Sequence, residues 1–311
     1  MRVHVRERKA TPGGVVVKRT LISLLVLSSL HFLLAQEPPK RFAEYGDLLI
    51  TQLSSAPFPH PLRTAGHTYQ KQFYPADKHY SDSSVALFIP RGFRQTEAVD
   101  LVVYLHGWRN NIDSSLSKYK LPQQLYESGK NAILVFPEGP RNAPDSFAGK
   151  LEDTGGLKRF VSDVVNFLFK ESKIKTRSVG KIILSGHSGG GEGIPFALMR
   201  GGIPEKVREV YLLDALYGGT EKFTYWIDRF NGKLINIYTD SGGTKGETEA
   251  MMEDFTGWGI PYRALEERAL VPADLRDNRL MFIHTDLKHD MVISARMQFR
   301  EYLKASGLSN R

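Results

Sequence analysis

Along the 311-residue chain, hydrophobic positions gather into short unbroken runs separated by longer mixed stretches. The runs at 85–89, 101–105, 132–136, 181–184, 210–213, 234–238 and 280–283 are rich in Val, Ile and Leu with little polar alternation. A strand covered on both faces has this composition, because neither side of its pleat meets water. Between the runs the period changes. At 156–170, Leu157, Phe160, Val161, Val164, Val165, Leu168 and Phe169 recur at helical spacing, which predicts a helix with one buried stripe. Strands alternating with helices predict an α/β protein. We expect a mainly parallel sheet of about eight strands, right-handed crossovers, helices on both faces and a single domain over 36–311. Residues 40–80 read differently: Pro57, Pro59, Pro61 and Pro75 lie among Tyr69, Phe73, Tyr74 and Tyr80. That mixture predicts a loop-rich segment wrapping the core, with one strand at 68–74. No long apolar insertion interrupts the later strands, so the expected cap is absent or reduced to a small lid from 240–278.

The first 35 residues change the picture of charge. Their apolar run at 21–34 is about 14 residues, shorter than the roughly 20 a spanning helix needs. It follows a basic start and precedes Gln36-Glu37-Pro38-Pro39, a pattern that predicts a secretory signal cut after Ala35. The basic region is long and Leu33 is larger than the small residue preferred three before a cut, so an uncleaved anchor at 20–35 is the alternative. Arg2, Arg6, Arg8, Lys9, Lys18 and Arg19, against Glu7 alone, account for five of the formal +8 charges. The remainder is unremarkable, and a nucleic-acid partner is not expected. With no cysteine, the chain has no disulfide, thiol nucleophile, thiolate zinc site or lipid-modified cysteine. A secreted or periplasmic protein relying on its own core is the expectation.

Candidate chemistry centres on Gly186-His187-Ser188-Gly189-Gly190, which fits G-x-S-x-G directly after the run at 181–184. Glycines on either side of a sharp strand-to-helix turn remove Cβ clashes, so Ser188 is expected to stand exposed as a nucleophile. Gly193 or Ile194 should begin the following helix, which places Pro195 in its first turn. Neither 241–248 nor Gly189-Gly190-Gly191 completes a nucleotide fingerprint, and no cofactor is expected.

Several segments taken in order resemble the α/β-hydrolase superfamily. "LVVYLHGW" at 101–108 looks like its third strand and His-Gly oxyanion turn, and "ILVFPEGP" at 133–140 like the next strand and the loop rimming the site. Residues 184–190 match its nucleophile elbow, "VYLLDALYG" at 210–218 resembles a later strand ending in an acid, and "FIHTDLKHD" at 282–290 supplies a histidine after the last strand. The resemblance implies a serine hydrolase whose hydroxyl is activated by an imidazole. His289 is the candidate base, and two acids compete to orient it. Asp214 ends its strand as in pancreatic-type lipases, whereas Asp240 ends the next strand, the position used by most of the superfamily; Asp214 is preferred. The N–H groups of Gly189 and Trp108 are the candidate oxyanion donors. His106 is expected to shape that turn or to be structural, and His284 to be a packed residue. Trp108, Tyr217, Tyr104 and Phe147 are candidate rim aromatics, while Glu138 and Arg141 either read a polar substrate group or are solvated loop charge. The expected function is an exported serine hydrolase cleaving a carboxylic ester of a small-molecule or peptide-like substrate. An amidase or peptidase with the same triad, a non-catalytic binding protein, and a metal site from His284, Asp286, His289 and Asp290 are the alternatives.

Overall fold

The computed structural model describes residues 42–311, and the proposed leader lies outside them. The strands are β1 Gly46–Gln52, β2 His67–Tyr69, β3 Gln72–Tyr74, β4 Ser84–Pro90, β5 Val99–Leu105, β6 Ala132–Pro137, β7 Val179–His187, β8 Val207–Leu213, β9 Lys233–Thr239, β10 Arg263–Glu266 and β11 Leu280–Thr285. All but β2 and β3 join one nine-stranded sheet in the order β1-β4-β6-β5-β7-β8-β9-β11-β10. β4 is antiparallel to both β1 and β6, and every other neighbouring pair is parallel.

Period-2 geometry divides the apolar runs between two cores. Val85, Leu87, Leu101, Val103, Ile182, Leu184, Val210 and Leu212 face one side, against the helices Gly156–Lys170, Ile194–Arg200, Thr220–Phe230 and Lys245–Gly257. Ala86, Phe88, Val102, Tyr104, Ile183, Tyr211 and Leu213 face the other, against Ile112–Lys118, Leu121–Ser128 and Gln298–Lys304. Strands buried on both faces need no polar alternation, which is why the sequence shows none. The stripe on Gly156–Lys170 buries Leu157, Phe160, Val161, Val164, Val165 and Leu168, each contributing about 1.5–3 kcal/mol. Phe169, counted in that stripe from sequence, is instead exposed, with the Arg177 guanidinium 4.3 Å from its ring centroid.

The sheet, expected at about eight strands, has nine, and the wrapping segment contributes β1 as an edge strand whose residues are mostly uncovered on one face. One expectation is corrected. The single strand at 68–74 is a hairpin of two three-residue strands, β2 and β3, turning through Gln70 and Lys71, both at positive φ. Residues 245–285 belong to the layered fold, as a helix, β10, the helix Pro272–Asp277 and β11. Among the described residues no helix is long and apolar enough to cross a membrane.

The topology decides where a site can form. From β5 the chain crosses to β6 on one side and returns to β7 on the other, so the sheet order reverses beside β5. Loops leaving the carboxyl ends of β5 and β7 diverge there and leave a crevice.

Candidate active site

Ser188 follows β7 at that crevice with φ +53°, left-handed backbone that non-glycine residues rarely adopt. The turn is possible because the chain around it lacks side chains. A Cβ on Gly107 would lie 2.5 Å from the Ser188 Cβ, and one on Gly190 would overlap the Leu105 carbonyl. Gly190 therefore serves packing of the turn against β5, and Gly191 its packing against Ala215. A 3-10 turn, Ser188–Gly191, comes first, and the helix begins at Ile194 with Pro195 in its first turn.

Asp214 follows β8, again at positive φ, +51°, and is fully buried. Its Oδ2 accepts from Thr239 Oγ1 at 2.6 Å, and its Oδ1 accepts from the Thr239 N–H at 3.3 Å and from Thr244 Oγ1. His289, arriving from the loop after β11, places Nδ1 2.7 Å from Asp214 Oδ2. Burial alone would raise the Asp214 carboxyl, but the donated hydrogen bonds from His289, Thr239 and Thr244 outweigh it and hold the group below the usual carboxylate range. An ionised Asp214 can only accept, so Nδ1 of His289 carries the proton and Nε2 presents a lone pair.

The ring of His289 stacks on His187, the residue before Ser188, with centroids 4.8 Å apart and planes 29° apart. His187 is buried, and its Nε2 lies 3.1 Å from the His289 carbonyl, which can only accept. Nε2 of His187 is therefore the protonated nitrogen, and Nδ1 is left to the Tyr119 hydroxyl at 3.4 Å. Burial, with the nearby His289 adding to it, lowers the His187 pKa to about 4, so this ring is neutral. In this conformation the Ser188 hydroxyl interacts with the Tyr217 phenol and makes no hydrogen bond to His289. Tyr217 in turn donates to the Gly242 carbonyl at 2.8 Å.

On the opposite side of Ser188, the turn after β5 is clamped by His106. Its Nδ1–H donates to the Gly107 carbonyl at 2.7 Å, its Nε2 accepts from the Gly139 N–H at 3.0 Å, and Glu138 Oε1 lies 2.9 Å from that nitrogen. Trp108 leaves this turn and covers Gly189, whose added Cβ would lie 2.6 Å from the indole, and Trp108 Nε1 donates to Ser146 Oγ at 2.7 Å. The Trp108 indole and Ser146 thus lie against Gly189, the residue after Ser188.

No protein-family model and no curated protein sequence matches the chain. Solved structures do. The feruloyl esterase module from Clostridium thermocellum is similar at 14% identity and TM-score 0.51, over 86% of this chain and 92% of that one. A ferulic acid esterase is similar at 12% identity and TM-score 0.50, over 84% of this chain and 98% of that one. With the sheet order and the turn after β7, these decide the architecture. The chain has the α/β-hydrolase fold.

In this α/β-hydrolase fold, the turn at Ser188 is the elbow between β7 and the helix that follows, and Asp214 and His289 sit on the loops after β8 and β11. Asp240 is not brought to His289. It is exposed and pairs with Lys245 at 2.7 Å and with His284 Nε2 at 3.2 Å. His284 closes β11 in an ion pair with Glu266 at 2.9 Å, which replaces the packed role expected of it. Asp286 pairs with Arg268 and Arg296, and Asp290 with Lys118 at 3.1 Å. The four residues of the metal alternative therefore do not converge, and among the described residues no group of three or more possible ligands forms.

Two rim assignments are corrected. Tyr104 is fully buried beneath the sheet against Phe136 and Phe299, because position 104 falls on the inward side of the β5 pleat. Glu138 is buried in the His106 clamp and also accepts from the Ile112 N–H, so it is neither solvated nor available to a ligand. Arg141 pairs with Asp82 at 2.5 Å with its side chain 41% exposed, which fits the solvated-charge alternative. Trp108 is 37% exposed, and Phe147 is half-buried at the mouth of the crevice. Sequence reasoning missed His187, Thr239, Thr244 and Ser146. The variable position of G-x-S-x-G is the one local signal that pointed at His187.

Proposed function

We propose that the chain is a serine hydrolase that cleaves a carboxylic ester through an acyl-enzyme. The observation carrying this reading is the 2.7 Å hydrogen bond between buried Asp214 and His289, whose ring stacks on the residue preceding Ser188. Ser188 Oγ attacks the ester carbonyl while His289 Nε2 takes its proton, and Asp214 fixes the tautomer and stabilises the imidazolium. The Gly189 and Trp108 N–H groups receive the oxyanion. The imidazolium then protonates the departing alkoxide, the C–O bond breaks, and water, deprotonated by His289, releases the acid and regenerates Ser188. Catalytic hydrogen bonds are often long or unmade in the free protein and tighten only with substrate bound, as the one between Ser188 and His289 would here. The structurally similar proteins carry esterase names, which supports an ester as the substrate. Export follows from the leader pattern at 1–35, and N-terminal sequencing of the mature protein tests it.

Turnover of aryl esters of increasing acyl length, with a peptide anilide beside them, tests the reaction. Wild type should turn over esters, and Ser188→Ala and His289→Ala should each fall by three orders of magnitude or more. Ester turnover undiminished in Ser188→Ala contradicts the proposal.

A further inference from the structure

A cleft of about 360 Å³ opens beside the elbow, walled by Tyr69, Trp108, Phe147 and Phe196. It is continuous with the site, since Trp108 and Ser146 line it and both border Gly189, Ser146 Oγ at 2.5 Å from where a Cβ would stand. Tyr69 meets Trp108 edge-on at 4.9 Å, which sets both rings as one corner of the wall. Its charges do not balance. Asp145, Glu152 and Glu192 line it with one guanidinium, Arg63, and one imidazole, His67, and Arg63 is committed to Asp145 through Nε at 2.6 Å and Nη2 at 3.1 Å. Glu152 is 9% exposed, accepts the Ala148 N–H through Oε1, and forms no ion pair among the described residues. Glu192, exposed at the rim, forms none either. Burial pushes the Glu152 carboxyl above its usual range, and Glu192 and Asp145 add to this, offset by the Ala148 N–H and Arg200. The aromatic walls already attract cations: the Arg63 guanidinium lies 4.8 Å from the Phe147 centroid, and Arg200 and Lys222 lie 5.1 and 5.4 Å from that of Phe196.

We propose that this cleft is a subsite for a positively charged, ammonium-type limb of the substrate. Aromatic faces attract a desolvated cation through their quadrupoles, and low-dielectric walls focus the field of Glu152 and Glu192 onto it. A neutral limb of the same shape gains only the apolar contact, and an anionic limb is repelled. The inference deepens the ester-hydrolase reading and rests on it for the role of the limb; binding itself is testable apart from catalysis.

The first arm measures binding of choline and its neutral carbon isostere 3,3-dimethylbutan-1-ol to full-length Ser188→Ala by calorimetry. Choline should bind at least about tenfold more tightly, and Glu192→Gln or Glu152→Gln should erase most of that difference. Equal affinity for the two, or choline binding unchanged by both substitutions, overturns the proposal even if the chain hydrolyses esters. The second arm compares wild-type kcat/KM within two pairs: acetylcholine against its carbon isostere, and the 4-nitrophenyl ester of a trimethylammonio acid against its own. At least one pair should favour the cation about tenfold at low salt, with the preference shrinking at high salt. No preference in either pair, with neutral aryl esters still hydrolysed, removes the subsite and leaves the ester-hydrolase reading standing. Loss of all turnover with the choline preference intact would instead remove the hydrolase reading.

Discussion

Asp214→Asn keeps the shape of the buried acid and reverses one donor, so its outcome can be worked from the hydrogen bonds around it. Oδ1 accepts a backbone N–H from Thr239 and the Thr244 hydroxyl, and a backbone donor cannot turn round. The asparagine oxygen must therefore occupy the Oδ1 place. Its NH2 then falls at the Oδ2 place, facing His289 Nδ1 and Thr239 Oγ1, whose lone pairs already accept from the Ser241 and Gly242 N–H groups. Nδ1 becomes an acceptor, the imidazole proton moves to Nε2, and the nitrogen that should take the Ser188 proton no longer can. A wrong tautomer of this kind costs about 10⁴ in turnover, about 5.4 kcal/mol of barrier. The fold should persist at a cost of about 1–3 kcal/mol, since only the Thr239 hydroxyl loses its acceptor. Asp240→Asn breaks only exposed ion pairs with Lys245 and His284 and should change kcat by less than about threefold. Steady-state kcat on an aryl ester for the two variants, with far-UV circular dichroism as a fold control, gives the answer. Asp214→Asn within tenfold of wild type, or the larger loss in Asp240→Asn, refutes the reasoning.

The His187 pKa of about 4 makes its own signature. The unfolded chain binds this proton near pH 6.5 and the folded chain does not, so the contribution is full above pH 6.5 and is lost as pH falls toward 4. Urea denaturation should show wild type losing about 2 kcal/mol more between pH 7.5 and 5 than His187→Gln, and parallel losses would contradict a buried neutral ring. Glu138→Ala leaves the buried Ile112 N–H without its acceptor and empties the space beside His106, and should cost about 1–3 kcal/mol in urea denaturation, together with a fall in kcat; a surface-like change below about 0.5 kcal/mol would remove the clamp. Gly190→Ala drives a methyl into the Leu105 carbonyl and should lower stability by about 1–3 kcal/mol or abolish folding, whereas a neutral change in Tm would show that the elbow can shift away from β5.

The central strands were legible because burial on both faces fills them with Val, Ile and Leu, and the helix at 156–170 because its stripe repeats at 3.6 residues. The edges were not. β1 and β10 keep exposed faces and carry mixed sequences, GDLLITQ and RALE, which no periodicity separates from a loop. The elbow could be read from glycine spacing, since that spacing is a steric demand of the turn. Both acids end a strand, so local sequence could not distinguish them; the difference lies in Thr239 and Thr244, donors supplied by the end of β9 and the turn after it. Tyr104 and Glu138 looked like rim residues for a related reason. Whether a strand-end side chain points to the crevice or under it depends on pleat and register, which the order of residues alone leaves open.

The account stands on Ser188 being a hydroxyl activated by the His289 imidazole. Reaction of the purified protein with a fluorophosphonate, followed by peptide mapping in a mass spectrometer, tests this directly. One phosphonyl group should appear on Ser188 in wild type, with labelling slowed by orders of magnitude in His289→Ala and absent in Ser188→Ala. Labelling at another residue, or at Ser188 with equal speed in wild type and His289→Ala, would contradict it.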